Sequence, residues 1–266
     1  MSAEESAKRL VRAYRRGRLS EEAVRLLVEA HGSGRPAQVG GVTLKSDREA
    51  YRVQDAVFSR LWPGARAAAW KAGGPSDKVE PTAAPIPPER LLASPASIAA
   101  KRLNLLGVEA EIAFRLRRDL PPRARPYSEQ TLADAIGEVL VAIEVCATRL
   151  ADWKESSSPW KLADFQNNGA LVAGSGIADW RSIDFGELEA RFSIGGAVRK
   201  AKGAHPFGNP FRLIPWLSRH CAKRGLGLHA GDVVTTGAWT GLETVRPGDE
   251  VIARFADIGE AKVRII

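Results

Sequence analysis

The chain has 266 residues, of which 44% are hydrophobic and 26% charged, proportions that argue against a wholly disordered protein. Its two cysteines lie far apart and lack the spacing of a CxxC or Cys/His motif, which argues against a disulfide scaffold and a zinc site of that kind. The formal net charge of +8 raises nucleic acid as a partner, but the basic residues are scattered and no nucleic-acid-binding motif accompanies them.

No segment has the apolar length that a membrane span needs, and the charged N-terminus lacks the apolar core of a signal peptide. These features predict a cytoplasmic protein whose partners are neither nucleic acid nor membrane. An anionic small-molecule substrate would also favour a positive surface.

The N-terminal part is predicted to be helical. Capping signals and apolar spacing predict a helix after Ser2, a second from Ser20 to about His31, and a third from Ser46 to Leu61. Residues 63–98 are rich in proline and glycine, which is typical of a long irregular loop and favours a functional lid.

The texture changes at about residue 99, where apolar runs bounded by turn signals predict strands. The runs are Leu103–Leu116, Val139–Ala147, Ala170–Ala173, Leu188–Ile194, Val233–Thr236, Val251–Phe255 and Ala261–Ile266. A short helix is predicted over 128–137 and a longer one over 210–223. We therefore predict a helical part with a lid over residues 1–98, packed on a strand-rich catalytic core over residues 99–266 as one structural unit.

Two carboxylates stand two residues apart in the segment GVEAEIAF. Alternation places Val108 and Ala110 on one face of the predicted strand and Glu109 and Glu111 on the other. Adjacent carboxylates repel unless a cation or a proton relieves them. The alternative is that this face belongs to an edge strand and meets solvent.

A third carboxylate, Glu144, lies inside the apolar run VLVAIEVCA, where an unpaired charge costs several kcal/mol. It therefore needs a cationic partner, either a metal ion or a basic side chain such as Arg149. Three carboxylates without a matching His or Cys cluster form a hard-oxygen site, which suits Mg²⁺ or Mn²⁺.

Lys71 is the other unexpected residue, because it stands among alanines just before two glycines. Its stem could carry the charge to the surface. If its ammonium instead lies near the carboxylates, it could bind a substrate carboxylate or move protons.

Several segments together carry a family resemblance: GVEAEIAF, VAIEVCATRLADW, ADFQNNGALVAG, and the C-terminal GNPFRLIPWL with LHAGDVVTTGAWTGLETVRPGDEV. In order and spacing they resemble the 2-keto-4-pentenoate hydratase branch of the fumarylacetoacetate hydrolase superfamily, from about Ala50 to the C-terminus. The resemblance implies an α+β fold, a mixed β-sandwich roll with flanking helices. It also implies that Glu109, Glu111 and Glu144 bind the metal and that Lys71 is a catalytic group beside the substrate.

The resemblance further implies substrate contacts from Lys71, Asp164 and Thr240. Trp239 is predicted either to line the substrate pocket or to pack in the core or at a subunit contact. Part of the substrate-contacting pattern departs from the family, since Ala238 replaces a usual serine and AGGPS follows the lysine instead of an IGLTS-like stretch. These departures leave the metal ligands in place and the identity of the substrate open.

The implied activity is hydration of 2-hydroxypenta-2,4-dienoate, or of a similar 2-oxo-alkenoate, to the 4-hydroxy-2-oxo acid, with Mg²⁺ or Mn²⁺ as cofactor. A 4-oxalocrotonate-type decarboxylase, an acylpyruvate hydrolase and a non-catalytic partner subunit remain alternatives. The hydrolase ranks lower because residues 70–110 contain no histidine to pair with a glutamate near the metal. The resemblance also implies a homo-oligomer, with pairing to a decarboxylase-like subunit as a further expectation.

Overall fold

The computed structural model describes residues 20–266, so the helix predicted after Ser2 lies outside the described residues. The helices are α1 (residues 20–33), α2 (Asp47–Leu61), α3 (Glu129–Ala135), α4 (Ser158–Ala163) and α5 (Leu213–Lys223). Within this described range, no helix is long and apolar enough to cross a membrane.

The strands of the chain build two sheets. In chain order they are β1 (Ala69–Gly73), β2 (Thr82–Ile86), β3 (Leu91–Ala93), β4 (Ala96–Ile98), β5 (Gly107–Leu116), β6 (Ile136–Cys146), β7 (Asn168–Ile177), β8 (Glu189–Ile194), β9 (Ala197–Lys202), β10 (Val233–Ala238), β11 (Glu243–Thr244), β12 (Glu250–Phe255) and β13 (Gly259–Ile265). Helices and mixed sheets together confirm the predicted α+β class.

The chain divides into two compact units. The smaller one contains the described residues up to Ala65 together with Thr148–Asn167, and the larger one contains Arg66–Ala147 and Asn168–Ile266. This division falls at different points from the boundary predicted at residue 98.

The smaller unit is helical. Ser46 caps α2 by accepting a hydrogen bond from the Glu49 backbone N–H, and the buried residues Ala50, Val53 and Val57 follow helical spacing. This face of α2 packs on α4. The predictions of helices after Ser20 and over 46–61 are confirmed.

The first sheet of the larger unit has the strand order β2-β1-β10-β5-β6-β7-β3, with β11 pairing to β5. The second sheet has the order β4-β13-β12-β8-β9. Most neighbours are antiparallel, whereas β1 pairs with β10, β3 with β7 and β4 with β13 in parallel. The strands predicted after residue 99 are confirmed within a few residues at their ends.

The two faces of the first sheet carry different cores. One face, which includes Val108, Ile112 and Phe114, belongs to a large apolar cluster that also contains residues of the second sheet. The opposite face carries a small cluster of Ala69, Ile86, Ala113, Leu140, Ala142, Leu171 and Val233. Strands β2 and β7 stand far apart in the strand order yet share this small cluster, so the sheet curls around it.

The prediction of an irregular loop over residues 63–98 is wrong, because this segment contains strands β1 to β4. These strands are short, and β1 and β2 contain alanine where strands usually carry β-branched residues, so the segment lacks a strong strand signal. Pro85 is tolerated in β2 because that strand pairs on one side only, with β1.

Candidate metal centre

The three predicted carboxylates lie on the inner face of the curled sheet. Glu109 on β5 stands directly opposite Glu144 on β6, and Glu111 follows two residues later on the same face. Strand β5 lies between β10 and β6, so the alternative of an edge strand facing solvent does not hold. Glu111 and Glu144 are fully buried, and the Glu109 side chain is 17% exposed.

The cationic partner of Glu144 is Lys71. The Lys71 Nζ lies 2.6 Å from Glu144 Oε2 and 3.6 Å from Glu109 Oε2, and the lysine side chain is only 15% exposed. The alternatives of a surface-directed lysine and of an Arg149 partner for Glu144 are therefore wrong. From β1, Lys71 reaches Glu109 on β5 across strand β10, and Glu144 on β6 across both β10 and β5. The residue beside Lys71 on β10 is Thr235.

Glu111 is held by one of its two oxygens. Its Oε2 accepts hydrogen bonds from the Thr235 hydroxyl and, at 2.9 Å, from the Gly237 backbone N–H. A bulge in β10 between Thr235 and Ala238 makes this possible, and Gly237 adopts a φ of 102° that other residues rarely reach. The buried Oε1 of Glu111 has no hydrogen-bond partner among residues 20–266.

Sequence reasoning did not assign a role to Asn168. Its Nδ2 donates to Glu144 Oε1 at 2.9 Å, while Lys71 lies at the other oxygen of the same carboxylate. The signal available in the sequence was an amide at the start of an apolar strand, where a polar side chain needs a partner.

The electrostatics of the cluster favour a further positive charge. Burial raises the pKa of Glu144 well above its ordinary value, and the carboxylates of Glu111 and Glu109 add to this rise against the effect of Lys71. Burial, and then Glu109, raise the pKa of Glu111. Burial opposes the charge of Lys71, but attraction to Glu144 and Glu109 outweighs it and raises the pKa of Lys71 well above its usual range.

These residues fit a divalent cation. With all three carboxylates ionised, the cluster and its one ammonium would carry two negative charges, which a divalent ion would balance. The unpartnered Oε1 of Glu111 is a buried oxygen with lone pairs to offer. Oxygen atoms of Glu109 and Glu144, together with the Cys146 sulfur, lie within 4.8 Å of one another.

Trp239 and Thr240 directly follow strand β10, which ends at Ala238. The Trp239 ring belongs to the large apolar cluster and packs against His205 and Phe255, with ring centroids 5.8 and 5.3 Å apart. The Thr240 hydroxyl lies 3.5 Å from the Gly241 carbonyl oxygen. Their substrate contacts stay predictions.

Asp164, another predicted substrate contact, lies in the smaller unit and is fully buried there. It forms an ion pair with Arg149 Nε and accepts hydrogen bonds from the Arg149 backbone N–H at 2.8 Å and the Thr148 hydroxyl at 3.1 Å. Arg149 also donates to the Asp164 carbonyl oxygen at 2.7 Å. This set of bonds indicates a structural ion pair, and a role in substrate binding stays a prediction.

Replacing Asp164 with Asn is expected to lower the free energy of unfolding by about 3 kcal/mol, because it leaves the Arg149 charge buried without its counter-ion. Urea unfolding would measure the loss, with the exposed Asp152→Asn as the control, expected to stay within about 0.5 kcal/mol of wild type. Near-normal stability with a raised KM would instead assign Asp164 to substrate binding.

His205 supports the β10 bulge from the loop after β9. Its Nδ1 accepts the Phe207 backbone N–H at 3.2 Å, so its Nε2 carries the proton and donates to the Thr236 carbonyl oxygen at 2.9 Å. Burial lowers the pKa of His205 to about 4, although the bond to Thr236 opposes this. The folded protein therefore holds a neutral imidazole.

The contribution of His205 to stability is expected to be full above pH 6.5 and to be lost as the pH falls towards 4, because the unfolded chain binds the proton first. Between pH 7 and pH 5 this amounts to on the order of 2 kcal/mol. Urea unfolding at several pH values would show a smaller pH dependence in His205→Asn than in wild type. At pH 8 the wild-type imidazole is neutral in both the folded and the unfolded state, so comparison of the two proteins at that pH isolates the loss of contacts. Equal pH dependence of the free energy of unfolding in the two proteins would contradict the prediction.

A curled mixed sheet whose inner face gathers three glutamates and a lysine defines a candidate site for a hard divalent cation. Residues 64–266 match the family described as fumarylacetoacetate (FAA) hydrolase C-terminal, and the chain belongs to that family. The resemblance predicted from the sequence is thereby confirmed.

Two curated relatives are named as 2-keto-4-pentenoate hydratases, and the chain matches them over different lengths. The chain is 31% identical to the 2-keto-4-pentenoate hydratase of Paraburkholderia xenovorans over 156 residues, which span 58% of this chain and only 57% of that relative. It is 28% identical to 2-keto-4-pentenoate hydratase 2 of Dechloromonas aromatica over 251 residues, 90% of this chain and 94% of that relative.

Among solved structures, the chain is similar to the 4-oxalocrotonate decarboxylase of Pseudomonas putida G7, complexed with magnesium and adipate. The TM-score is 0.80 at 22% identity, with 92% of this chain and 98% of that chain covered. At this identity the match shows the fold, and it confirms the predicted roll.

Proposed function

We propose that the protein is a divalent-metal-dependent lyase that hydrates 2-hydroxypenta-2,4-dienoate, or a similar 2-oxo-alkenoate, to the 4-hydroxy-2-oxo acid. The observation that carries this proposal is the buried cluster in which the Lys71 ammonium meets Glu144 at 2.6 Å and Glu109 at 3.6 Å, beside Glu111. The hydratase names of the relatives support the choice of reaction.

Glu109, Glu111 and Glu144 would hold Mg²⁺ or Mn²⁺, since carboxylate oxygens are the ligands these ions prefer. When bound, such an ion supplies a Lewis acid that stabilises negative charge developing on the 2-oxo oxygen of the substrate. Asn168, at one oxygen of Glu144, keeps that carboxylate oriented. The Thr235 hydroxyl and the Gly237 backbone N–H, both at the β10 bulge, keep the Glu111 carboxylate oriented in the same way.

Lys71 would act on the substrate through its Nζ. An ammonium with a raised pKa stays protonated at neutral pH, so Lys71 can pair with the substrate carboxylate and hold it beside the cluster. Conversion of the dienol to the conjugated ketone moves a proton from the C2 hydroxyl to C5, and Lys71 would relay it by giving its own proton to C5 and taking up the hydroxyl proton. Addition of water then puts the hydroxyl on C4 and hydrogen on C3.

A 4-oxalocrotonate-type decarboxylase is the second candidate, favoured by the fold match to that enzyme over 92% of this chain. Loss of CO₂ from a 2-oxo acid substrate also generates enolate-type charge, so the same carboxylates and lysine would serve it. The two reactions differ in their products, because one adds water and the other releases CO₂.

The test is metal-dependent turnover by chelator-stripped protein. The protein would be mixed with 2-hydroxypenta-2,4-dienoate, with and without Mg²⁺ or Mn²⁺, while the dienoate absorbance is followed and products are identified by mass. We expect the substrate to gain one water only when the metal is present. The control variant Glu138→Gln should retain this activity, because Glu138 lies on β6 like Glu144 but pairs with Arg115 outside the cluster.

Other products would redirect the assignment. Release of CO₂ from 4-oxalocrotonate without hydration of the dienoate would select the decarboxylase. Cleavage of an acylpyruvate into two acids would select the hydrolase. Metal binding without turnover of any of these acids would select a non-catalytic subunit and overturn the proposed reaction.

A further inference from the structure

A thiol lies beside the carboxylate cluster. Cys146 follows Glu144 by two residues on β6, so both side chains point to the inner face of the sheet. The Cys146 sulfur and carboxylate oxygens of Glu109 and Glu144 lie within 4.8 Å of one another. The approach of Glu109 to this pair depends on the pairing of β5 with β6, which sequence spacing does not show.

The Cys146 side chain is buried, and its sulfur lies close to the carboxylates of Glu109 and Glu144. Its cross-strand neighbour on β5 is Gly107, which has no side chain, and its neighbour on β7 is Asn168, the donor to Glu144. The side chain is 3% exposed and forms no disulfide. A buried cysteine is often a small apolar filler, but here oxygens of two carboxylates lie within 4.8 Å of its sulfur.

A second observation points to a ligand on the same face of the sheet, beyond Glu109. Glu111 is fully buried, and its Oε1 has no hydrogen-bond partner in the described part of the chain. A buried oxygen of this kind is costly unless a cation or a donor satisfies it. The inner face of the sheet therefore carries a buried oxygen in need of a partner, and next to it the group in which oxygens of Glu109 and Glu144 lie with the Cys146 sulfur.

We propose that Cys146 provides a sulfur ligand for borderline and soft divalent cations such as Co²⁺, Zn²⁺ and Cd²⁺, in addition to the glutamate oxygens that serve Mg²⁺. This inference rests on the metal site of the proposed function. Thiolate sulfur selects softer ions, whereas Mg²⁺ is held by oxygen ligands. On binding, the thiol releases its proton to solvent and the sulfur lone pair forms the bond to the ion.

The experiment uses the sulfur-to-metal charge-transfer absorption that appears when a thiolate binds Co²⁺ or Cd²⁺. Chelator-stripped wild type, Cys146→Ala and Cys221→Ala would be titrated with each ion. Cys221 is the matched control, because it is the only other cysteine in the sequence and lies buried in α5. Calorimetry with Mg²⁺ would run in parallel, and Cys146→Ser would replace the alanine variant if that variant does not fold.

We expect the charge-transfer band in wild type and Cys221→Ala and its loss in Cys146→Ala. The affinity for Cd²⁺ should fall at least roughly tenfold in Cys146→Ala, while the affinity for Mg²⁺ stays within about twofold.

Two results would overturn the inference alone. One is Mg²⁺ binding by wild type without any charge-transfer band from Co²⁺ or Cd²⁺, and the other is a band that disappears in Cys221→Ala and not in Cys146→Ala. Failure of wild type to bind Mg²⁺, Mn²⁺, Co²⁺ or Cd²⁺ would overturn the metal site of the proposed function itself.

Discussion

Glu144→Gln is expected to weaken Mg²⁺ binding by roughly a hundredfold or more and to lower kcat/KM by on the order of 10²–10³. The substitution removes a buried carboxylate charge but keeps its size and the oxygen that accepts from Asn168. The Lys71 ammonium retains Glu109 at 3.6 Å, so the variant should fold. Lost affinity would then report the missing ligand charge.

Calorimetric titration with Mg²⁺ and Mn²⁺ would measure the effect, with circular dichroism to establish that the variant is folded. Glu138→Gln is the control, since it makes the same chemical change on β6 at a side chain that is 34% exposed. Unchanged Mg²⁺ affinity in Glu144→Gln would rule out this carboxylate as a ligand.

The sequence was sufficient for the strands that carry the carboxylates. The alternation of Glu109 and Glu111 with apolar residues identified both the strand β5 and its polar face. An acidic residue within a continuous apolar run singled out Glu144, since such a charge needs a partner wherever the strand lies. Both predictions use only two properties that can be read from the sequence: the two-residue alternation of a strand and the energetic cost of burying an unpaired charge.

The partners of those carboxylates could not be predicted in the same way. Lys71 reaches Glu144 because β1 pairs with β10, β10 with β5 and β5 with β6, and the first two of these pairings join residues far apart in the chain. The donors to Glu111 come from a bulge in β10, which is a register shift without a sequence period. The alanine, glycine and proline around Lys71 also concealed the strand that holds it.

Asp164 shows the limit of assigning roles by resemblance. Buried bonds to Arg149 and Thr148 surround its carboxylate, and burial raises its pKa although Arg149 opposes the rise. A motif identifies the position, but it cannot tell whether the side chain meets a substrate or a neighbouring arginine. That distinction depends on how residues 148–167 fold back on themselves, which is a tertiary property.

Lys71→Met is expected to separate the two roles of the cluster. Turnover should fall by on the order of 10²–10⁴, because the side chain that binds the substrate carboxylate and moves protons is lost. Mg²⁺ affinity should be equal to or higher than that of wild type, because the ammonium lies 2.6 Å from Glu144 and competes with a cation for that carboxylate.

The free energy of unfolding of Lys71→Met gives a second test, because its difference from wild type should depend on whether Mg²⁺ is present. Without Mg²⁺, the variant leaves Glu144 buried without its cation, and its free energy of unfolding should fall by about 3 kcal/mol. Saturating Mg²⁺ restores a positive partner, so the stabilisation by Mg²⁺ should be larger in the variant than in wild type.

Urea unfolding with and without Mg²⁺ would measure both effects, and the exposed Lys78→Met, seven residues along the chain, is the matched control. The control removes the same charge outside the cluster and should leave Mg²⁺ affinity, turnover and stability close to wild type. A parallel loss of Mg²⁺ affinity in Lys71→Met and Glu144→Gln would mean that the lysine organises the carboxylates for the ion. The prediction that the ammonium competes with the metal for Glu144 would then be wrong.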